Sequence, residues 1–595
     1  MKIHICTHSK VKYFRISLAT GAAWGMILLA ILLRLLLIWF HYPVTMSDES
    51  VMDLMARHIA YHDARPLFFY GQAYMGPLEA YLGAFLFHLA GSSIFTVRLG
   101  LLLFYALFLC SMYALVRLLY TQALALFTLF LLILGNADLF DRQLKAIGGY
   151  PEMLFFGTLI FLLTSKLAFS LPRTLAQRTE QTPAQHWQRQ GLYAALGFAA
   201  GFALYIDQLS ITFVIPAFVM LLIFCRRELF SLQTLCGWLM FILGIAPLLY
   251  YNLSILGTST PGTLHDIFAI QSDAAVQMAR QQIPPINKLS GTLFVSLPSI
   301  TGYAPLCSSN AIPGFGTSAM FSLPCTLFQG AWSLGYLILL LSALLFASRQ
   351  IQRIRQTVRL SGLAQLYSWS STLHAERDHQ LVQQAARIML LSNALLAILI
   401  YTTSASPATG PVTNSRYLLN TLITLPAMLW PLWHNAIAQD KLFFRAKRLA
   451  ALLALIIIVL MLTTGMIMSL LALPYAQAQF ERQERLTQRL LTIGANRIYT
   501  DYWNCYRLAF QSDERITCAN LTGSLRLADR NSNRYPPYVQ SVQRARTPSY
   551  MFSLQSQQYA AMQQFLAHMH VSYTIYRLDD FVVYQFATPI ALPGR

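Results

Sequence analysis

Charged residues are scarce in this chain, so those that cluster at the ends of apolar runs stand out. Asp48 and Glu49 follow the first long apolar run, within YPVTMSDESVMDLMARHIAYHDARPLFFYGQAYMGPLEAY. A second cluster, NADLFDRQLKAIGGYPEM, holds Asp138, Asp141, Arg142, Lys145 and Glu152. Asp207 and Gln208 separate two further apolar runs, and Asn414, Ser415 and Arg416 stand just before another. Together they offer carboxylates that can take a proton from an acceptor and cations that can hold an anionic leaving group. Each cluster alone also fits a solvated loop, because a charge outside the bilayer is cheap, whereas an unpaired charge at bilayer depth costs roughly 2.5–3.5 kcal/mol.

Membrane helices must position these clusters. With 56% hydrophobic and 11% charged residues over 595 positions, the composition excludes an ordinary soluble globular protein. The charges gather between apolar runs of spanning length, the pattern of a polytopic α-helical membrane protein. A net charge of +19 does not point to nucleic acid here, because the basic residues lie mainly in short loops between runs. That is the positive-inside signature, and it reports orientation.

Lys2, Lys10, Lys12 and Arg15 precede an apolar run at about Ile16–Phe40 with no evident cleavage site, which predicts an uncleaved first helix and a cytoplasmic N-terminus. The alternation continues through Ile94–Val116, Gln122–Gly135, Met153–Leu167, Leu192–Tyr205, Leu209–Phe224 and Leu235–Tyr251. Ala331–Phe346, Ile388–Tyr401, Tyr417–Trp433 and Ala450–Leu473 complete a prediction of about eleven spans. Pro77–Ala90 is short for a span, and crossing there would invert every later basic loop, so it is expected to stay on the outer side. Segments 41–93, 136–152 and 252–328 then face outward, and the clusters above share that face.

Of eight cysteines, four fall in outer segments as two close pairs, Cys307 with Cys325 and Cys505 with Cys518. Either pair fits a disulfide in an oxidising compartment or two free thiols. No zinc-ligand spacing is present, and His58, His62 and His265 show none. After the last span the character changes. Gln477–Leu491, Tyr506–Ser512 and Gln557–His570 read as helices, Arg497–Tyr502 and Arg515–Ala519 as strands, and Ser572–Phe586 as a hairpin around Asp579–Asp580. NRYPPYVQSVQRARTP reads as a Pro-rich basic loop. The expected organisation is a transmembrane domain at 1–473 and a small extracytoplasmic α/β domain at 474–595.

The first helix, the acidic pair in SDES and the Pro-containing turn YMGPLEAYL resemble the GT-C membrane glycosyltransferases. The similarity is to the group of protein O-mannosyltransferases and the lipid A aminoarabinose transferase. RLGLLLFYALF, GGYPEMLFFGTL, SRYLLNTLITLPAML and the tail YTDYWNCYRLAFQSDERI also fit, so the resemblance covers essentially the whole chain by arrangement. It implies inverting transfer of a sugar from a polyprenyl-phosphate carrier to a glycan, lipid or protein acceptor, on the extracytoplasmic face of the plasma (inner) membrane. By position Asp48 becomes the general base, Glu49 its neighbour, and Glu152 the family's second acid; Glu152 equally suits a helix N-terminus, where an acid favours the dipole.

For the departing phosphate the first choice is Arg416, because a guanidinium makes a bidentate fork; a snorkelling Arg at a span end is the other reading. Arg142 and Lys145 are second choices. Tyr70, Gln72, Tyr74, Glu79 and Asp207 are candidates for contacts to sugar hydroxyls or the substrate. Gly76 stands where relatives often carry Lys or His before the Pro-Leu turn, removing one phosphate or metal contact. No obligatory metal or cofactor is expected, with a divalent ion left open. The rival readings are a transporter or flippase of lipid-linked saccharides and a non-catalytic assembly protein for envelope polysaccharide. The first calls for broken, charged helices at mid-membrane and repeated halves; the second tolerates loss of Asp48.

Overall fold

A computed structural model describes residues 18–170, 182–231, 234–256, 262–263, 283–302, 312, 322–364, 371–437, 443–569 and 571–590. His265 and Cys307 lie outside the described residues, as does much of segment 252–328. The N-terminal part is helical. Its elements are α1 (Leu18–Trp39), α2 (Ser47–His62), α3 (Leu78–Ala90), α4 (Ile94–Leu119), α5 (Gln122–Ile133), α6 (Ala137–Leu144) and α7 (Tyr150–Phe169). There follow α8 (Pro183–Ile206), α9 (Ile211–Phe224), α10 (Leu235–Ser254), α11 (Leu323–Ala364), α12 (Ser371–Thr403), α13 (Leu425–Ile437) and α14 (Phe443–Leu471).

Among the described residues seven helices are long and apolar enough to cross a membrane, or eight if α5 and α6 count as one broken span. The chain is a multi-pass membrane protein. The difference from about eleven has local causes. The run expected at Gln122–Gly135 ends at Ile133, and the chain turns by 88° into α6. The amino half of α8 is polar (PAQHWQRQ), and the Gln208–Phe224 segment is short, with Pro216 inside α9. The run expected at Tyr417–Trp433 begins as a 3₁₀ helix, Thr413–Thr424, before becoming α13. Polar side chains hold that uncommonly long 3₁₀ run: Asn393 donates to the Asn420 carbonyl (2.8 Å) and Asn420 to Thr212 Oγ1 (2.8 Å).

Broken helices leave carbonyls that lipid cannot satisfy. Here buried arginines satisfy them. Arg34 of α1 donates to the carbonyls of Leu132 (3.1 Å) and Ile133 (3.2 Å) at the end of α5, and to Gln143 Oε1 (2.8 Å). Arg387 of α12 reaches the Leu119 carbonyl closing α4 (2.7 Å), and Arg189 of α8 reaches Leu167 in the last turn of α7 (3.1 Å). Cations at helix C-termini also complement the helix dipole.

The segment expected as an outer loop at Tyr42–Tyr81 is not a wet loop. Its first half is α2, whose Glu49, Ser50, Asp53 and His58 are buried. Beyond α14 comes α15 (Leu473–Thr492), leading to β1 (Arg497–Thr500), α16 (Tyr502–Gln511), β2 (Thr517–Asn520), α17 (Pro536–Arg544) and β3 (Ser549–Ser553). The domain ends with α18 (Gln557–Ala567), β4 (Tyr573–Leu578) and β5 (Phe581–Phe586). The five-stranded sheet has the order β2-β1-β3-β5-β4, with β1 parallel to β2 and β3 and the other pairs antiparallel. The stretch read as a Pro-rich loop holds α17 and leads into β3. Pro536 and Pro537 occupy the first turn, where a missing N–H costs nothing. Cys505 and Cys518 form a disulfide joining α16 to β2, and Cys325 is disulfide-bonded as well.

Candidate functional site

Asp48 sits in the first turn of α2, at the seam between the membrane helices and the sheet domain. Its Oδ1 accepts from two side chains of that domain, the Tyr502 hydroxyl and Arg534 Nη2, the latter at 2.8 Å. Oδ2 has no hydrogen-bond partner among the described residues, and the side chain keeps 15% of its exposure. Burial and then the Asp48 carboxylate push the Tyr502 phenol well above its ordinary range, so it remains a donor.

Both partners are delivered from the carboxyl ends of parallel strands. After β1, Asp501 caps α16 by accepting from Trp503 N (2.9 Å) and Asn504 N (3.2 Å), which fixes Tyr502 at the first helical position. After β2, Asn533 Oδ1 accepts from Asn520 N (2.8 Å), and Tyr506 OH accepts from Arg534 N (2.6 Å). Arg534 Nε bonds the Asn531 carbonyl (3.1 Å), and its guanidinium carbon lies 4.8 Å from the Phe69 ring and 5.1 Å from the Tyr502 ring.

Tyr74, Tyr150, Arg416 and Tyr417 complete the surroundings, each within electrostatic reach of others in the group, and Arg416 also of Asp48. Burial, then the neighbouring Tyr417, raises the Tyr74 phenol. Arg416 makes no ion pair among the described residues; it donates to Tyr417 OH (3.3 Å), and its buried Nε has no partner. Asp207 caps the turn after α8 through Leu209 N (2.8 Å), and burial raises its carboxyl to about 7 against the opposing effects of that bond and of Arg416. A separate apolar cavity of about 420 Å³ is lined by residues that include Leu132, Gln143, Trp332, Tyr336, Leu422 and Met461. The 3₁₀ run that carries Arg416 contributes Leu422 to its wall.

The fold has known counterparts. The chain superposes on the aminoarabinose transferase ArnT from Cupriavidus metallidurans bound to undecaprenyl phosphate with a TM-score of 0.52, at 13% identity, over 95% of this chain and 98% of that one. The fold is that of the GT-C membrane glycosyltransferases. The apo state of the same ArnT gives a TM-score of 0.49 at 14% identity, over 96% and 98% of the two chains. The oligosaccharyltransferase AglB from Archaeoglobus fulgidus, in complex with an inhibitory peptide and a dolichol-phosphate, gives 0.46 at 12% identity, over 97% and 75%. No protein-family model and no curated protein matches the sequence.

On this GT-C fold the candidate residues fall into separate groups. Asp48, Tyr74, Arg416 and Asp207 come together. Glu49 points away into a fully buried bidentate pair with Arg98 of α4 (2.7 and 2.8 Å), so its carboxylate is occupied. Arg142 and Lys145 both bind Asp141 (2.9 and 2.5 Å), which neutralises much of what they would offer an anion. Arg142 also donates to the Thr413 carbonyl (3.3 Å), and Ser415 Oγ lies 3.5 Å from Asp138 Oδ2, so α6 braces the run that bears Arg416.

Glu152 is buried at the start of α7, with the Glu79 carboxyl beside it. Glu79 accepts from Gly148 N (3.1 Å) and Gly149 N (2.9 Å), both glycines having positive φ, so it fixes a turn instead of reaching for a substrate hydroxyl. Tyr70 lies with His58 (3.0 Å) and stacks on Tyr535, and the Gln72 N–H closes a turn on Phe69. Gly76 packs backbone to backbone on the end of α8: its N–H donates to the Ile206 carbonyl (2.9 Å), and a Cβ there would lie 3.0 Å from Ile206 Cα. Among the described residues no three His, Cys, Asp or Glu side chains group so as to hold a metal ion.

Four important residues are absent from the sequence reading. Arg98 had a signal, a lone cation inside an apolar run, which calls for a buried partner. Asp53 lies one helical turn beyond Glu49, buried, with its carboxyl raised well above the usual range by burial and then by Glu49. Tyr502 and Arg534 carried no signal, because only the folded chain brings them to Asp48.

Proposed function

We propose that the chain is a membrane glycosyltransferase that moves a sugar from a polyprenyl-phosphate donor to an acceptor hydroxyl, with inversion, on the extracytoplasmic face of the plasma membrane. The observation that carries this reading is Asp48. Among the described residues its carboxylate has one oxygen held and one free, within electrostatic reach of an Arg416 that has no ion pair there. Asp48 Oδ2 takes the acceptor proton as the acceptor oxygen bonds to the anomeric carbon. The bond from that carbon to the phosphate oxygen breaks, and its electron pair leaves with the polyprenyl phosphate, whose charge Arg416 stabilises. The apolar cavity walled in part by the same 3₁₀ run that carries Arg416 is of a kind to take part of the polyprenyl chain. The ArnT structure, which carries undecaprenyl phosphate on this fold, supports the choice of donor class. Residues 1–473 serve as the catalytic membrane domain with a cytoplasmic N-terminus, and 474–595 as an extracytoplasmic domain that helps select the acceptor.

The test is release of polyprenyl phosphate from a panel of polyprenyl-phosphate sugars by purified protein, wild type against Asp48→Asn. Loss of the base should lower kcat by about 10²–10⁴-fold, and the wild-type rate should survive a chelator. A fully active Asp48→Asn protein sinks the assignment and brings the transporter reading forward.

A further inference from the structure

Asp48 belongs to the membrane part of the chain, yet both hydrogen bonds to its carboxylate come from the sheet domain, 454 and 486 residues away in sequence. We propose that Tyr502 and Arg534 are positioning residues of the catalytic base: they pin Oδ1 of Asp48 and leave Oδ2 as the atom that takes the acceptor proton, so the docked sheet domain is part of the catalytic apparatus. This rests on the reading of Asp48 as base.

An aspartate on a first helical turn is free to rotate about two bonds, and a base that samples several orientations spends little time aimed at its proton. Two donors on one oxygen remove that freedom. The donors are themselves immobilised. Tyr502 opens a helix capped by Asp501 and tied to β2 by the Cys505–Cys518 disulfide. Arg534 is held at its backbone N–H by Tyr506, at Nε by the Asn531 carbonyl, and across its planar face by Phe69 and Tyr502.

Docking of the two parts does not need this clasp. Ser47 Oγ bonds the Tyr502 carbonyl, Arg57 pairs with Asp513 (3.0 Å) and with the Phe510 carbonyl (3.1 Å), and His58 meets Glu514 (3.1 Å), all along α2. A buried Arg534 whose Nη1 has no partner among the described residues is an expensive way to add one more contact. Its placement on the base oxygen is what that cost accounts for.

The experiment uses full-length protein and a donor that the wild type turns over. Tyr502→Phe and Arg534→Gln should each lower kcat by about ten- to a hundredfold, the scale of a misplaced catalytic group, with the donor KM unchanged in protein that still folds. Arg534→Lys, which keeps a cation within reach, should recover part of the rate. In an Asp48→Asn background neither substitution should cost anything further, because there is no base left to orient. Arg57→Gln supplies the contrast, weakening docking while leaving kcat of the folded protein intact. The positioning role is overturned if Tyr502→Phe and Arg534→Gln keep full kcat while Asp48→Asn is inactive, or if Arg57→Gln lowers kcat equally. If Asp48→Asn itself keeps full activity, the base assignment has failed.

Discussion

Arg98 grips Glu49 through both carboxylate oxygens, at 2.7 and 2.8 Å, with neither side chain open to solvent. The pair fixes α2 against α4 one residue from the candidate base. It also explains why two adjacent acids have different fates: successive helical residues face about 100° apart, so one turns to the protein interior and the other to the seam.

Removing one partner should strand the other as an uncompensated buried charge. Glu49→Gln or Arg98→Leu is expected to cost about 3–5 kcal/mol, while the double replacement should recover much of it. Denaturant unfolding in detergent micelles measures both, and single variants of wild-type stability would show the pair to be dispensable.

The contact between α2 and the sheet domain should respond to acid. Burial would raise the Glu514 carboxyl, but hydrogen bonds from His58 and Tyr538 outweigh it and hold the group below its ordinary value of 4.5. A depressed carboxyl contributes stability that is present above the unfolded value and is lost as pH falls through the lower folded one. Domain docking, followed by protease sensitivity, should therefore weaken as pH drops below about 4.5. Glu514→Gln should flatten that dependence, and an unchanged acid profile in the variant would count against the assignment.

The disulfide between Cys505 and Cys518, separated by 13 residues, restrains the unfolded domain. Its removal by Cys505→Ser with Cys518→Ser is expected to cost about 3 kcal/mol, as for other loops of similar length. Limited proteolysis of the sheet domain should register the loss while cleavage in the membrane helices stays constant.

The membrane class and the sheet domain are legible in the sequence, and Asp48 stands out there as a candidate, because each depends on local pattern. Apolar length marks spans, alternation marks Ser572–Phe586 as a hairpin, which the structure forms at 573–586, and an acidic pair after an apolar run is visible by inspection. What escaped depends on how side chains and turns pair once the chain is folded. Arg142 and Lys145 looked like free cations until Asp141 was seen to hold both. Glu79 looked like a substrate contact until the Gly148–Gly149 turn folded over it. The α17 helix was hidden by Pro536 and Pro537, which read as a loop signal yet suit a first helical turn.

The arginine inside α1 also bears on how the chain is made. Until α5 is synthesised, Arg34 has only the Ala30 carbonyl of its own helix, its other partners lying far ahead, Leu132 98 residues further on and Gln143 109. A lone arginine in an inserting helix is penalised by about 2.5–3.5 kcal/mol. The first helix is thus expected to linger beside the insertion machinery and to enter lipid together with the hairpin of α4 and α5. Nascent chains truncated before Leu132 should leave α1 crosslinkable to the translocon. Arg34→Leu should release it early, at the expense of the bent α5–α6 junction it was meant to hold.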